Sequence, residues 1–331
     1  MTISSSGRFA SPELLALGKP PALASSPFET LFQVSRDAFV ARMSAAGLSY
    51  DVQMLETDPA MITIQAAAYR DMMRRLEIDD AVAATYLGSA TKAMLDQRAA
   101  DYGVLRRIVQ FADPALGIPE IIEDDESVRL RARLAWEALS VAGPAGAYVF
   151  HALDAHEGVF DALAIGPETG FVSPGEVLVV VQSRTNNGVP TDNMLDVIAD
   201  RLDAFAVVYA NGSSVVRPVR NHQSVRPLGA KVTVFGAKPL VYTTTATLFV
   251  SAYGDAEALR LAALAQLQAY QERTRRIWQR VSKEGRQAAL SLVGTDGLPV
   301  IDEVVVSEDD VIPTHLEIPV PGAITLTTVV R

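Results

Sequence analysis

The feature that most constrains this chain is a change of period. Up to about residue 157, apolar residues recur every three or four positions; beyond it they come in short β-branched runs separated by Gly, Pro and Asn. Helices first and strands later predict an α+β protein rather than a doubly wound sheet. The expectation is an N-terminal helical region followed by α+β regions with mixed, largely antiparallel sheets. With 331 residues there is chain enough for two or three domains and a sizeable core. The segments read as a flexible arm over residues 1–25, a helical region over 26–110, and an acidic loop with a connecting helix over 111–143. A central α+β domain over 144–250 and a C-terminal α+β region with a long helix over 251–331 follow. No fixed repeat marks a solenoid.

The arm is rich in Ser, Pro and Gly and needs a partner to order it. The stretch "SPFE" offers Ser26 as N-cap, Pro27 as first helical residue and Glu29 to complete a capping box. Phe28, Leu31, Phe32, Phe39 and Met43 then recur at helical spacing, and Gly47 stops the run. Asp58-Pro59 opens a second helix, with Met61, Ile64, Ala68, Met72 and Leu76 as one apolar stripe, Tyr69 and Arg70 beside it, and Asp71 four residues ahead of Arg75. A third helix carries Met94, Leu95 and Ala99 and ends at Gly103. "FADPALGIPEIIEDDES" reads as a loop into a helix whose start holds Asp124, Asp125 and Glu126, where negative charge suits the dipole. Gly143-Pro144 is a junction into a further helix.

Beyond it, "GVFDALAIG", "GEVLVVVQS", "AKVTVFGAK", "LVYTTTATLFVSAY", "VIDEVVVS" and "GAITLTTVVR" read as strands, and "PTDNMLDVIADRLDAF" as an amphipathic helix. A long helix from about Asp255 to Val281 places Leu259, Ala263, Leu267, Tyr270, Ile277 and Val281 near a seven-residue repeat. "GRQAALSLVG" reads as a short helix.

Little in the chain points to chemistry. The net charge of −10 gives no general grip on nucleic acid phosphates. Without cysteine there is no disulfide, zinc–thiolate site or thiol nucleophile. His151 and His156 are five apart, a spacing that does not stack two ligands on one helix face; His222 and His315 stand alone. No P-loop, GxGxxG, GxSxG or HExxH occurs. The acidic runs Asp124–Glu126 and Glu308–Asp310 are consecutive, so their carboxylates diverge instead of converging as a catalytic pair. The basic cluster "RTRRIWQRVSKEGR", with Trp278 inside it, reads as a partner-facing patch at a helix end rather than a base-stacking platform. No apolar run is long enough for a membrane span, and the start lacks a secretory pattern. No catalytic, cofactor-binding or metal-ligating residue is expected. Candidate interface residues are Phe28, Phe32, Phe39, Ile64, Met72, Leu76, Tyr270, Arg275, Arg276 and Trp278.

Several blocks in register resemble the Baseplate J-like family, wedge proteins of contractile phage tails and tail-like particles. They are "ETDP", "AYRDMMRRLEIDDA" and "ATKAMLDQRAADYGVLRR", then "EDDESVRLRARLAWEALSVAGPAGAYVFHAL", "VSPGEVLVVVQSRTNNGVPTDNMLDVIADRL", "RPLGAKVTVFGAKPLVYTTTATLFV" and the C-terminal "VSKEGRQAALSLVGTDGLPVIDEVVVSEDDV". The likeness covers about residues 28–331. It implies a structural subunit without catalytic groups or cofactors, sited in the baseplate of a virion or tail-like particle and assembled in the host bacterial cytoplasm. Its partners would be itself, as two copies per wedge linked into a ring around the tail tube, and a small third wedge protein. A sheath initiator or lysozyme-like baseplate protein would be a neighbour, and the central hub or spike an indirect one. Such a ring would trigger sheath contraction. The alternatives are a tail-associated hydrolase and a cytosolic nucleic-acid-binding protein using Arg273 to Arg286.

Overall fold

A computed structural model describes residues 27–50, 58–112, 114, 117–140, 142–218, 225–227, 229–251, 255–293 and 300–330. The arm expected over 1–25, Ser26 and His222 lie outside them. The chain divides into two compact units, one ending at Leu105 and the other continuing from Arg106.

The first unit is helical. Helix α1 (Phe28–Ala45) has Pro27 as its N-cap, and no side chain caps it. The helix therefore starts one position later than expected, at Phe28, with Pro27 just outside it and carrying no side-chain acceptor; the expected capping box involves Ser26, which lies outside the described residues. At the other end Gly47 takes φ +72°, so that the Gly47 amide donates to the Ser44 carbonyl and the Leu48 amide to that of Met43, both at 3.0 Å. This pair of bonds satisfies two terminal carbonyls in a left-handed cap that glycine adopts without strain. Helix α2 (Pro59–Ala83) starts from Asp58 with proline in its first turn, and α3 (Lys92–Ala100) follows. Among the described residues of this unit, the buried apolar ones are Leu31, Met61, Ala68, Ala83, Ala90, Leu95, Ala99 and Val104.

The second unit begins with a hairpin, β1 (Ile108–Gln110) against β2 (Ile121–Ile122), where a loop is expected from the prolines. Those prolines lie in the connection between the two short strands, where no ladder amide is lost. Helix α4 (Asp125–Ala138) is capped by the Asp124 side chain, which accepts from the Ser127 amide. Next come α5 (Ala145–Ala155), β3 (Val159–Ile165), β4 (Glu176–Ser183) and α6 (Asp192–Leu202), which Thr191 caps. The short strands β5 (Ala206–Val208) and β6 (Ser214–Val216) precede β7 (Lys231–Gly236). The sheet order is β3-β4-β7-β5-β6, with β4–β7 and β7–β5 parallel and both outer pairs antiparallel. The order of elements and the mixed sheets make the protein α+β, as the sequence predicts.

The period-two pattern decides which side chains go where. Val179 and Val181 of β4 join Leu195, Ile198 and Leu202 of α6 and Ala152 of α5 in one core. Val180, between them, faces the opposite side with Leu163, Ile165, Ile277 and Ile318. A register shift between Val159 and Asp161 changes the phase of β3, so Val159 and Ala162 share the α5–α6 face.

Ala237, fully buried, leads straight from β7 into β8 (Lys238–Val250), the centre of a second sheet. There β8 pairs antiparallel with β9 (Ile301–Val306) and parallel with β10 (Glu317–Val330). Helices α7 (Ala256–Thr274) and α8 (Lys283–Leu290) cover its inner face through Ala263, Leu267 and Leu290. The long helix thus ends at Thr274 and not near Val281. Arg275 leaves helical geometry at ψ 65°, Trp278 takes φ +61°, and the Trp278 amide donates to the Glu317 carbonyl at 2.9 Å. Ile277 and Val281 are fully buried, but Ile277 lies in the inter-sheet cluster and Val281 bridges Val311. Their heptad spacing has a cause other than helix.

Candidate interaction surface

The apolar residues of α2 lie on two faces. The covered face carries Met61 and Ala68, each 1% exposed, with Ile64 and Met72 half-buried. It continues through Arg75 and Asp79, not through Leu76. Leu76 is 50% exposed, which corrects its place in the expected stripe. The residues after Met72 at helical spacing are 75 and 76, and the backbone keeps 75 inward. Leu76 instead lines up with Ile62, Tyr69 and Met73, which are 51%, 54% and 39% exposed. Their offsets of 7, 11 and 14 residues from Ile62 are those of a single helix face. The whole of α1 and α2 buries only Leu31, Met61, Ala68 and Ala83. Helices of 18 and 25 residues ordinarily draw their stability from a full packed stripe. On α1, Phe28 and Phe32 stack at 6.2 Å between centroids, and Phe39 meets Tyr50 edge-on at 5.1 Å. All three phenylalanines remain half-exposed.

Tyr270, Arg275, Arg276 and Trp278 lie in the second unit, and the fold itself uses them. The Arg276 guanidinium sits 4.1 Å over the Phe160 ring, and Trp278 meets Phe171 edge-on at 5.7 Å. Arg275 pairs with Glu272 at 3.1 Å while its carbonyl accepts from Gln182 at 3.0 Å. Tyr270 packs with its hydroxyl against Gly285, where a Cβ would come within 2.2 Å of it. The basic cluster is not one continuous charged face. Arg280 pairs with Asp310, Lys283 lies 3.8 Å from Asp309, and Arg286 is fully buried. The acidic run Glu308–Asp310 has a structural use as well: Glu308 accepts from the Thr245 amide and Asp310 from the Lys283 amide, both at 2.8 Å.

Sequence reasoning missed a buried ionic network. Glu123, 3% exposed, takes Arg131 in a two-point pair at 2.9 and 2.7 Å and also accepts from the Arg107 amide at 3.2 Å. The Arg107 side chain donates to the Leu153 and Asp154 carbonyls at 2.8 Å, closing the C-terminal end of α5. Arg106 reaches the Asp125 carboxylate at 2.6 Å. Burial, and then the Arg131 charge, lower the Arg107 pKa. One available signal was Arg131 at the seventh helical position after the acidic cap, on the same face as the apolar Val128 and Ala135.

Two hollows in this unit are lined by charged groups, the first of them by this network. One, of about 10 Å³, is lined by Arg107, Glu123, Arg131 and Phe160 and is no larger than a water. The other, about 450 Å³, is open and lined by Asp200, Asp203, Val216 and Arg217. Its charges are already matched: Arg217 with Asp196 and Asp200, and Asp203 with Arg226 at 3.2 Å. Among the described residues no group of three or more His, Asp or Glu is placed to hold a metal, and no helix is long and apolar enough to cross a membrane.

His151, 7% exposed on α5, gives the core a pH dependence. Burial, reinforced by Arg201, lowers its pKa below the usual imidazole value, with Asp154 opposing. The unfolded chain therefore takes up the proton first, and stability is full above about pH 6.5 and declines as pH falls below it. Urea midpoints at pH 7.5 and 5.5 should differ, and His151→Gln should shrink the difference. Some of it should remain, because burial lowers the His315 pKa in the same direction.

The helical unit buries few apolar residues, and the charged groups described in the α+β unit serve that unit's own fold. Residues 56–113, spanning α2, α3 and β1, match the Baseplate J-like N-terminal domain, and residues 140–236, from before α5 to the end of β7, match the Baseplate J-like central domain. Baseplate protein J of Escherichia phage P2 is 32% identical over 242 residues, covering 72% of this chain and 72% of that protein. The chain belongs to the Baseplate J-like family, which places it among the baseplate proteins of phage tails.

Proposed function

We propose that this chain is a structural wedge subunit of a contractile-tail baseplate, acting by assembly and not by turnover. Two copies join a small third wedge protein, and neighbouring wedges link into the ring around the tail tube that triggers sheath contraction. A sheath initiator or lysozyme-like baseplate protein adjoins it, and the hub or spike is reached indirectly. The setting is the baseplate of a virion or tail-like particle, put together in the host bacterial cytoplasm.

The observation that carries this reading is the second apolar stripe of α2, Ile62, Tyr69, Met73 and Leu76, on a helix that buries little within its own unit. An exposed apolar row rimmed by Arg70, Asp80 and Glu77 suits a helix from a partner. Neither a hydrolase nor a nucleic-acid-binding protein gains a comparable observation. The basic cluster that would serve the latter has Arg275, Arg276, Arg280 and Arg286 engaged within the unit.

Leu76→Asp tests the reading, because Leu76 is half exposed and its replacement spares the unit's own core. Stability of the full chain should change by no more than about 0.5 kcal/mol. Co-purification with the co-expressed small wedge protein should be lost. Wild-type levels of complex from the variant would remove α2 from the interface.

A further inference from the structure

We infer that the outer edge of β10 is a self-association surface, where residues 324–330 pair antiparallel with the same residues of a second copy across a two-fold axis. β10 ends the second sheet: β8 takes one side of it, and among the described residues no strand takes the other. A free edge presents a row of backbone donors and acceptors that another strand can complete, and native edges ordinarily carry a device against this. The other three edges of the two larger sheets have one. β6 is three residues long, β9 carries the exposed Asp302 and Glu303, and β3 carries Asp161, a carboxylate only 7% exposed. In β10 such devices come early: Pro319, Pro321 and an irregular register between Pro321 and Ile324. From Ile324 to Val330 the register with β8 is unbroken, and the segment "ITLTTVV" has no proline, glycine or charge.

Charge and the open side of the core select a second copy as the occupant. The chain carries a net charge of −10, so self-association works against net repulsion. Between Ile318 and Val330 there is no charged residue, and an identical strand meets this edge without repulsion, whereas a charged peptide finds no counter-charge. Ile324 and Leu326 pack against the core of Ala263, Leu267 and Leu290 yet stay half-buried at the open side of the sheet. A strand laid alongside extends the sheet and covers them. Identical strands paired about one two-fold axis make a closed interface rather than a fibre. Side-chain alternation fixes the register. With Thr327 on the axis, Thr325 stands opposite the second copy's Val329, Leu326 opposite its Thr328 and Ile324 opposite its Val330, each pair on one face of the joined sheet. This edge belongs to the second unit, not to the α2 stripe that carries the proposed function, and the pairing stands or falls without that stripe.

The test uses the full chain purified alone. Sedimentation should show a dimer. Thr325→Lys/Thr327→Lys, at two exposed positions, should return it to monomer with an unchanged circular dichroism spectrum, because like charges then face each other at the axis. Thr327→Cys adds the only thiol to a cysteine-free chain. Its two copies across the axis would have Cα atoms about 4.5–5.5 Å apart, within disulfide range. Mild oxidation should therefore link two chains, whereas Thr247→Cys, on the neighbouring β8, should not. A monomeric wild-type chain would overturn the inference. So would a dimer that the lysines leave intact, or cross-linking from Thr247→Cys equal to that from Thr327→Cys. Leu76→Asp should keep the dimer; its loss there would move the self-contact to α2, overturning the strand pairing while leaving the wedge reading in place.

Discussion

Glu123→Gln should lower the unfolding free energy of the full chain by about 3–5 kcal/mol. Glu123 is 3% exposed, and the Arg131 side chain opposite it is 5% exposed. The carboxylate accepts from both nitrogens of that guanidinium and from the Arg107 amide. An amide keeps the shape but turns an NH₂ toward one of those donors and leaves the buried cation less compensated. Chemical denaturation should show an earlier midpoint with an unchanged slope, the mark of altered stability without altered exposure. Asp71→Asn on α2 is the control. Its pair with Arg75, at 3.2 Å, is 51% and 36% exposed, and solvent screening should leave its loss barely measurable. A change at Glu123 as small as at Asp71 would mean that the network is solvated and does not hold β1 to α4.

Leu195→Ala should cost about 2–5 kcal/mol, while Leu139→Ala should cost no more than about 0.5 kcal/mol. The same atoms are removed from 0% exposed and 75% exposed positions. Leu195 belongs to the core formed by Ile198, Leu202, Val207 and Val234. Its Cδ1 lies 3.1 Å from where a Gly236 Cβ would be, so the opposing strand has no side chain there to fill the space left behind. Equal effects at the two positions would place the centre of the unit away from α6.

The sequence by itself determined the class of fold, the places where most elements begin and end, and the family. Local chemistry carries that information: Asp58-Pro59 opens α2, Thr191 and Asp124 cap their helices, Gly47 closes α1, and the alternation in "EVLVVVQS" sends Val179 and Val180 to opposite cores. It also held the spacing of Ile62, Tyr69, Met73 and Leu76, but not which of two apolar faces is covered. That depends on which side α1 occupies, and helical periodicity has no term for a neighbour. The tertiary structure likewise decided the end of α7. Ile277 and Val281 fit a helical repeat, yet contacts with β10 and with Val311 draw them out of it. Charge is the clearest case. In sequence Arg286 is one more residue of a basic cluster and Glu123 one more acid in an acidic loop. Only the packing of segments far apart in the chain buries each of them, with Arg286 against the carbonyls of Glu308 and Asp309 and Glu123 against Arg131, because burial is a property of the assembled layers and not of any local stretch.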